Sequence, residues 1–349
     1  MANYVIDGMF LVQKMTGTQR YSFELAKELD KMIGKDELEI LVPNYTQNIP
    51  EYKNLKIVKY GNKSGILWQQ FDLAWYLIEN KKQGIFFNNV SPLIYPKGII
   101  TIHDVCYKAN PHFYSSLRDK LSMMWHRLNY FVASHSKMLI LTVSEFSKSE
   151  IIKYYKIDSE RIKVIRNGWQ HIKNTIVDEK TFEKFHYLKK GEYYFSMSSL
   201  GANKNFKWIL YCANNNPNSV FAIAGGGKLK GAAEAADFVN LPNVHFLGYV
   251  SDEEAKVLMA NSKAFLFPTL YEGFGIPPLE AVACGCNRII ISDTPCMHEI
   301  YGDNATYIDP HNFDEMDLEC DTINCSNELL DMYSWEKSAA ELWELIRKT

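Results

Sequence analysis

Short apolar strands alternate with helical stretches along most of this chain. Tyr4-Val5-Ile6 reads as a strand. A polar, Gly-containing turn over 16–21 follows, and residues 21–32 then show helical spacing, with Tyr21, Leu25, Leu29 and Met32 on one face. Residues 37–42 and 55–58 are apolar strands, a helix is predicted from about 68 to 79, and 84–87 and 98–102 are further strands. Strands separated by helices argue an α/β chain with parallel sheets covered on both faces. In such sheets ligands bind beyond the carboxyl ends of the strands. At 349 residues there is room for two domains. Periodicity fades and charge rises over 171–189, which reads as a linker. The expected layout is therefore a domain over 1–170, the linker, a second domain over 190–332, and a C-terminal helix over 333–349.

One stretch is more specific than the alternation. The strand Lys263-Ala264-Phe265-Leu266-Phe267 runs into a loop carrying Glu272, Gly273 and Gly275, and then Pro277 and Pro278. A helix is expected to open at Pro278, with Glu280 in its first turn. Glycine lets backbone N–H groups approach a ligand, and a helix start offers unpaired N–H groups to an anion. Proline suits the first turn because it has no N–H to satisfy. Two carboxylates eight positions apart thus sit at the carboxyl end of a strand. Two glutamates at that spacing alone would be read as solvated.

Composition narrows the classes of function. Apolar residues make up 47% and charged residues 23%, a globular balance. A formal charge of −3 gives no reason to expect nucleic acid. No run of 18 apolar residues suggests a membrane span, and the N-terminus lacks the basic region and cleavage site of a signal peptide. Seven irregularly spaced cysteines suit a reducing cytoplasm. Cys284, Cys286, Cys296 and His298 make a poor zinc set, because C-x-C at a helix end departs from zinc-ligand spacing.

Other candidates lie at strand ends. Gly17 opens the turn before the first helix, where N–H groups face a pyrophosphate or merely make a tight turn. His103-Asp104 follows the strand at 99–102; a histidine there is either structural or a partner for a sugar hydroxyl or developing charge. A long helix over 115–132 carries Leu117, Leu121, Met124, Trp125, Leu128 and Val132 on one face. Docking on its own domain is the favoured reading of that face; lying on an anionic membrane is the other. Ser144 is expected to cap the helix that follows it. Lys204 follows the strand at 193–198 and precedes a helix, a place where its ammonium can meet a phosphate or stay solvated. The loop Gly225-Gly226-Gly227-Lys228 does not match a P-loop, and no G-x-G-x-x-G is present.

Gly-Phe-Gly-Ile-Pro-Pro-Leu between the two acids, followed by Glu-Ala-Val-Ala-Cys-Gly, resembles the signature of the family 4 retaining glycosyltransferases. Thr101-Ile102-His103-Asp104-Val105 with Asn110-Pro111, Val164-Ile165-Arg166-Asn167-Gly168, and Lys204-Asn205 are similar to other segments of that family. Ser199 and Asn203 stand where members commonly carry basic residues. The resemblance implies a GT-B fold, two Rossmann-like parallel-sheet domains facing across a cleft. It implies transfer of a hexose from a nucleoside diphosphate sugar to a glycan hydroxyl with retention and without an essential metal or other cofactor. Consistent with that, no Asp-x-Asp is found.

By the same resemblance, Glu272 and the backbone of Phe274, Gly275 and Ile276 hold the donor sugar, and Glu280 takes the ribose. Lys204 and Gly17 meet the pyrophosphate, backbone groups near Tyr249 and Val250 meet the base, and His103 lies beside the sugar ring. The implied donor is a GDP- or UDP-sugar, and the implied acceptor is a lipid-linked or oligosaccharide glycan in O-antigen or capsule synthesis. The implied place is the cytoplasm, with peripheral contact at the inner face of the membrane. Two other classes share this outline: a nucleotide-sugar-binding protein without turnover, and a sugar-nucleotide epimerase. A nicotinamide-dependent dehydrogenase lacks its glycine fingerprint here.

Overall fold

The computed structural model describes residues 3–226, 240–313, 318 and 328–348. The chain divides into two compact units, Met1–Asn167 with Trp335–Thr349, and Gly168–Ser334. Gly227 and Lys228 lie outside the described residues.

In the first unit, seven strands form one parallel sheet: β1 (Tyr4–Asp7), β2 (Glu39–Val42), β3 (Lys56–Lys59), β4 (Gln83–Phe86), β5 (Gly98–Thr101), β6 (Leu139–Thr142) and β7 (Ile162–Val164). Their order is β3-β2-β1-β4-β5-β6-β7, so the chain reverses its direction of winding between β1 and β4. β1 and β2 are buried along their whole length, as strands covered on both faces must be. β3 is the edge and shows Lys56 and Lys59 to solvent, which discourages pairing with another chain. Tyr21, Leu25 and Leu29 of the helix Gly17–Met32 are fully buried. Ser144 Oγ accepts from Ser147 N at 3.0 Å and starts the helix Glu145–Tyr155.

The C-terminal helix Trp335–Lys348 belongs to this first unit. It buries Trp335, Ala339, Leu342 and Ile346. Trp335 meets Tyr21 edge-on at 6.0 Å, and Ser338 Oγ donates to the Arg166 carbonyl at 2.7 Å.

Two helical regions depart from the sequence reading. The helix expected at 68–79 begins earlier, at Gly65, and its middle, Trp68–Leu73, is π-helical. The helix expected at 115–132 runs over Leu117–His135, and of its apolar face Trp125 and Val132 are half-buried while the other four residues are exposed. Leu117 is 76% exposed, Leu121 59%, Met124 62% and Leu128 44%. What the helix buries instead is Asn129, Tyr130 and Ala133.

In the second unit, six strands form another parallel sheet: β8 (Tyr193–Met197), β9 (Val220–Ala224), β10 (Val244–Gly248), β11 (Ala264–Phe267), β12 (Ile289–Ser292) and β13 (Thr306–Ile308). Their order is β10-β9-β8-β11-β12-β13, and the winding reverses between β8 and β11. β11, Ala-Phe-Leu-Phe, is buried throughout. On one side of this sheet Phe206, Trp208, Ile209 and Leu210 pack on Phe221, Ile223 and Leu266. Gly225, just past β9, holds φ +154°, and a Cβ there would lie 1.9 Å from the Ser198 carbonyl oxygen. Only glycine permits that approach between the ends of two neighbouring strands. The stretch 171–189, read as a linker, carries two short helices, Gln170–Lys173 and Thr181–Lys184, and belongs to this unit.

Candidate functional site

The point where winding reverses opens a crevice between two diverging loops, and in open α/β sheets ligands bind there. In the second unit those loops leave β8 and β11. The loop after β8 passes through a 3-10 turn, Ala202–Lys204, and turns into the next helix at Asn205 with φ +53°. The loop after β11 runs from Pro268 to the helix Ile276–Ala283. The backbone joins the two: Leu270 N donates to the Asn203 carbonyl at 2.8 Å, and Asn203 Nδ2 donates to the Tyr271 carbonyl at 3.3 Å.

This stitching brings Lys204 and Glu272 together. Lys204 Nζ hydrogen-bonds Glu272 Oε1, and both side chains are mostly buried, 17% and 14% exposed. Thr269 Oγ1 lies 2.8 Å from the same carboxylate oxygen. Asn203, where the resemblance calls for a second basic residue, fastens the two loops instead. Lys204 is thus the cation that meets Glu272.

Beyond Glu272 the chain passes Gly273 and Phe274 and enters its helix. Gly275 is the N-cap, at φ +82°. The helix starts at Ile276, not at Pro278, so Glu280 is its fifth residue and lies beyond the first turn. The cause is local. Gly275 supplies the left-handed step, and Pro277 and Pro278 fill positions that need no N–H donor. The Tyr301 hydroxyl fixes the joint, donating to the Gly275 carbonyl and accepting from Leu279 N at 3.1 Å. The Phe274 ring is buried and meets Tyr333 edge-on at 5.3 Å, so only its backbone is offered to a ligand.

Glu280 has a partner that the sequence did not reveal. His171 Nε2 donates to Glu280 Oε1 at 2.8 Å, with the imidazole 4% and the carboxylate 13% exposed. His171 sits in the short helix Gln170–Lys173. Near it, Cys284 is an inert thiol, pushed up to about 12 by burial and next by the Glu280 carboxylate. Among the described residues, no three His, Cys, Asp or Glu side chains are grouped to hold a metal ion. Tyr249 and Val250 follow β10, the edge strand two places from β8. Tyr249 is 57% exposed and Val250 is buried.

Gly17 and His103 belong to the first unit. Gly17 is the first residue of its helix, no side chain caps that end, and nothing lies within 4 Å of where its Cβ would be. His103 follows β5 and is 9% exposed. Its Nε2 lies 2.8 Å from the Phe87 carbonyl, which can only accept, so Nε2 carries the proton. Burial lowers its pKa to about 4 from 6.5, against the opposing effect of that hydrogen bond. The ring is therefore neutral near pH 7 and presents Nδ1 as an acceptor. Tyr21 meets it edge-on at 4.9 Å.

Comparison with known proteins places the whole chain. Residues 15–170 match the family described as Glycosyltransferase Family 4, and residues 177–329 match Glycosyl transferases group 1. An O-antigen chain mannosyltransferase B of Escherichia coli is 25% identical over 86% of this chain and 84% of its own length. The O-antigen chain mannosyltransferase RfbU of Salmonella typhimurium is 26% identical over 78% of this chain and 72% of its own. Among solved structures, a sucrose-phosphate synthase from Thermosynechococcus elongatus superposes with a TM-score of 0.73 at 14% identity, covering 99% of this chain and 98% of that one. That last likeness speaks for the fold alone. With both of its units matched and both sheets wound as the fold requires, the chain belongs to the family 4 glycosyltransferases, of GT-B fold.

Proposed function

We propose that this glycosyltransferase moves a hexose from a nucleoside diphosphate sugar to a hydroxyl of a glycan acceptor, with retention at the anomeric carbon and without a metal. The names of the O-antigen mannosyltransferases favour mannose as the sugar and surface-polysaccharide synthesis as the setting. The observation that carries the reading is the Lys204–Glu272 pair at the switch point of the second sheet.

In the transfer, the bond from the anomeric carbon to the diphosphate oxygen breaks, and a bond to the acceptor oxygen forms on the same face. The acceptor's proton passes to the leaving phosphate oxygen. Charge growing on the diphosphate is what the protein must stabilise, and a preplaced ammonium does so without solvent reorganisation. Lys204 is the side chain for this, exchanging its contact with Glu272 for one with phosphate. Glu272, so released, accepts hydrogen bonds from hydroxyls of the donor sugar. Backbone N–H groups at Phe274, Gly275 and Ile276 face the same sugar at a helix start. Glu280, oriented by His171, accepts from the ribose hydroxyls. Gly17 and the groups near Tyr249 and Val250 are assigned the pyrophosphate and the base. His103 is assigned the sugar, its neutral ring accepting a hydrogen bond from a hydroxyl at Nδ1.

The test is donor turnover with GDP-mannose and with UDP-glucose, each with and without EDTA, with product anomers read by NMR. Turnover of one donor, unchanged by EDTA and giving the retained anomer, is expected. The inverted anomer, or activity lost to EDTA and restored by Mg2+, would overturn the corresponding part.

A further inference from the structure

The first unit holds a cavity of about 550 Å³, lined by no residue assigned to the transfer. Small-ligand sites span roughly 300–1,000 Å³. The cavity opens at the carboxyl ends of β2 and β3, on one side of the point where winding reverses between β1 and β4. Lys59 is the last residue of β3, Tyr60, Asn62 and Lys63 follow it, and Asn44 lies two residues past β2. Asp72, from the π-helical turn, completes the polar lining.

The walls are fastened. Pairing continues past both strands, with Tyr60 N donating to the Val42 carbonyl at 2.9 Å and Asn44 N to the Gly61 carbonyl at 3.0 Å. Trp68 is fully buried, and its Nε1 donates to the Tyr60 carbonyl at 2.7 Å. Asn44 Nδ2 donates to Asn62 Oδ1 at 3.0 Å. The Tyr60 ring meets Tyr76 edge-on at 5.2 Å, and its hydroxyl reaches Glu79 Oε2 at 3.5 Å. Turns of π geometry recur at functional sites. Here one such turn carries both Trp68 and Asp72.

The hydrogen-bonding inventory decides what the cavity takes. Asp72 is 8% exposed and its carboxylate is already engaged: Lys63 N donates to Oδ2 at 3.0 Å, Lys63 Nζ donates to Oδ1 at 2.8 Å, and Asn62 N adds a third bond. Burial opposes its ionisation, yet these bonds and the Lys63 charge hold its pKa below the usual value. Asp72 therefore serves to pin Lys63 and the loop. Lys59 Nζ donates to the Thr46 carbonyl at 3.0 Å. An ammonium has three N–H groups, so each lysine keeps donors for a ligand, and both are exposed to one. Two cations stand against one satisfied carboxylate, which favours a ligand carrying negative charge. The neighbouring amides of Asn44 and Asn62 both donate and accept, as sugar hydroxyls require.

We propose that this cavity is a subsite for an acidic sugar of the acceptor glycan, its anionic group held by Lys59 and Lys63. The anion is a carboxylate or a phosphate. The proposal rests on the reading that the acceptor is a glycan.

The experiment is saturation-transfer NMR on the full chain with methyl β-glucuronide, glucose 6-phosphate and the neutral methyl β-glucoside. Thermal shifts with GDP-mannose and UDP-glucose are run on the same samples. At least one acidic sugar should bind about tenfold or more tightly than the glucoside, the margin of a charge-assisted hydrogen bond. Binding of the glucuronide alone would name a uronic acid, and of glucose 6-phosphate alone a phosphorylated sugar. Lys59→Gln with Lys63→Gln, which keeps a donor for Asp72, should bring the acidic sugars down to the level of the glucoside. Asn44→Ala, which keeps both charges, should weaken all three alike. These variants should retain the wild-type melting temperature and donor response; Lys59→Gln alone, away from Asp72, gives the same test if the double variant unfolds. Lys204→Ala should leave acidic-sugar binding as it is. Equal binding of neutral and acidic sugars, unchanged binding in the double variant, or loss in Lys204→Ala would overturn the proposal. So would a donor response with no acidic sugar bound. Acidic-sugar binding without any donor response would instead sink the transfer reading and leave the cavity as a sugar site.

Discussion

His171 and Glu280, 109 positions apart in sequence, share a 2.8 Å hydrogen bond in the second unit. A carboxylate meant for two ribose hydroxyls must be turned to meet both, and the imidazole fixes that turn. His171→Ala is expected to weaken nucleotide binding about tenfold, the effect of losing one hydrogen bond to a charged group. The loss should appear in KM for the donor more than in kcat. His171→Gln, which keeps a donor nitrogen, should recover part of it. Equal loss in both variants would show that the histidine serves packing instead.

Lys204 and Glu272 form an ion pair, so removing either one deprives the other of that partner. Lys204→Ala should cut kcat/KM by roughly 10²–10³, the cost of losing one group that stabilises charge in the transition state. Glu272→Gln should raise KM for the donor sugar while leaving affinity for the free nucleoside diphosphate unchanged or higher, because Lys204 no longer has to leave an anion. Steady-state kinetics beside calorimetry with GDP or UDP separates the two effects. A fall in diphosphate affinity in Glu272→Gln would contradict the assigned roles.

Gly275→Ala tests the loop geometry. At φ +82° the new Cβ would lie 2.7 Å from Met297 Cε and 3.2 Å from Phe267 Cε1. Strain of this kind costs roughly 1–3 kcal/mol. Urea unfolding should show that loss, together with a weaker donor response. A variant as stable as the parent would mean that the turn relaxes without cost.

The half-buried His126 gives a pH dependence with a definite sign. Burial lowers its pKa to about 4 from 6.5, and its ring stacks on Tyr107 at 4.6 Å. The folded state therefore holds fewer protons than the unfolded state between these values, and stability is lost as pH falls from 6.5 towards 4. His126→Phe keeps the stack and removes the titration. It should match the parent at pH 7.5 and exceed it by up to roughly 2 kcal/mol at pH 5. The acid sensitivity that remains includes His103, which shifts in the same direction.

The alternation of strands and helices made both sheets legible, because a parallel sheet buried on both faces writes continuous apolar runs such as Ala264–Phe267. The acids of the 272–280 stretch were legible through the glycines and prolines around them. The helix start was read two residues late because Pro278 looked like its first position, whereas the left-handed Gly275 sets it. His171 left no local trace, since its meaning lies in a contact far along the chain. The helix Leu117–His135 shows a different limit. Its period of three and four is the same whether the stripe meets a core or solvent, so spacing revealed the stripe and not what covers it.

The helix Trp335–Lys348 has a consequence for how the molecule is made. It completes the first unit, yet it is synthesised after all of Gly168–Ser334. Tyr21 and Arg166 must wait for Trp335 and Ser338 until all of the segment 168–334 has left the ribosome. The second unit is one uninterrupted segment and can mature first. The unit that is made first is thus the one that is completed last.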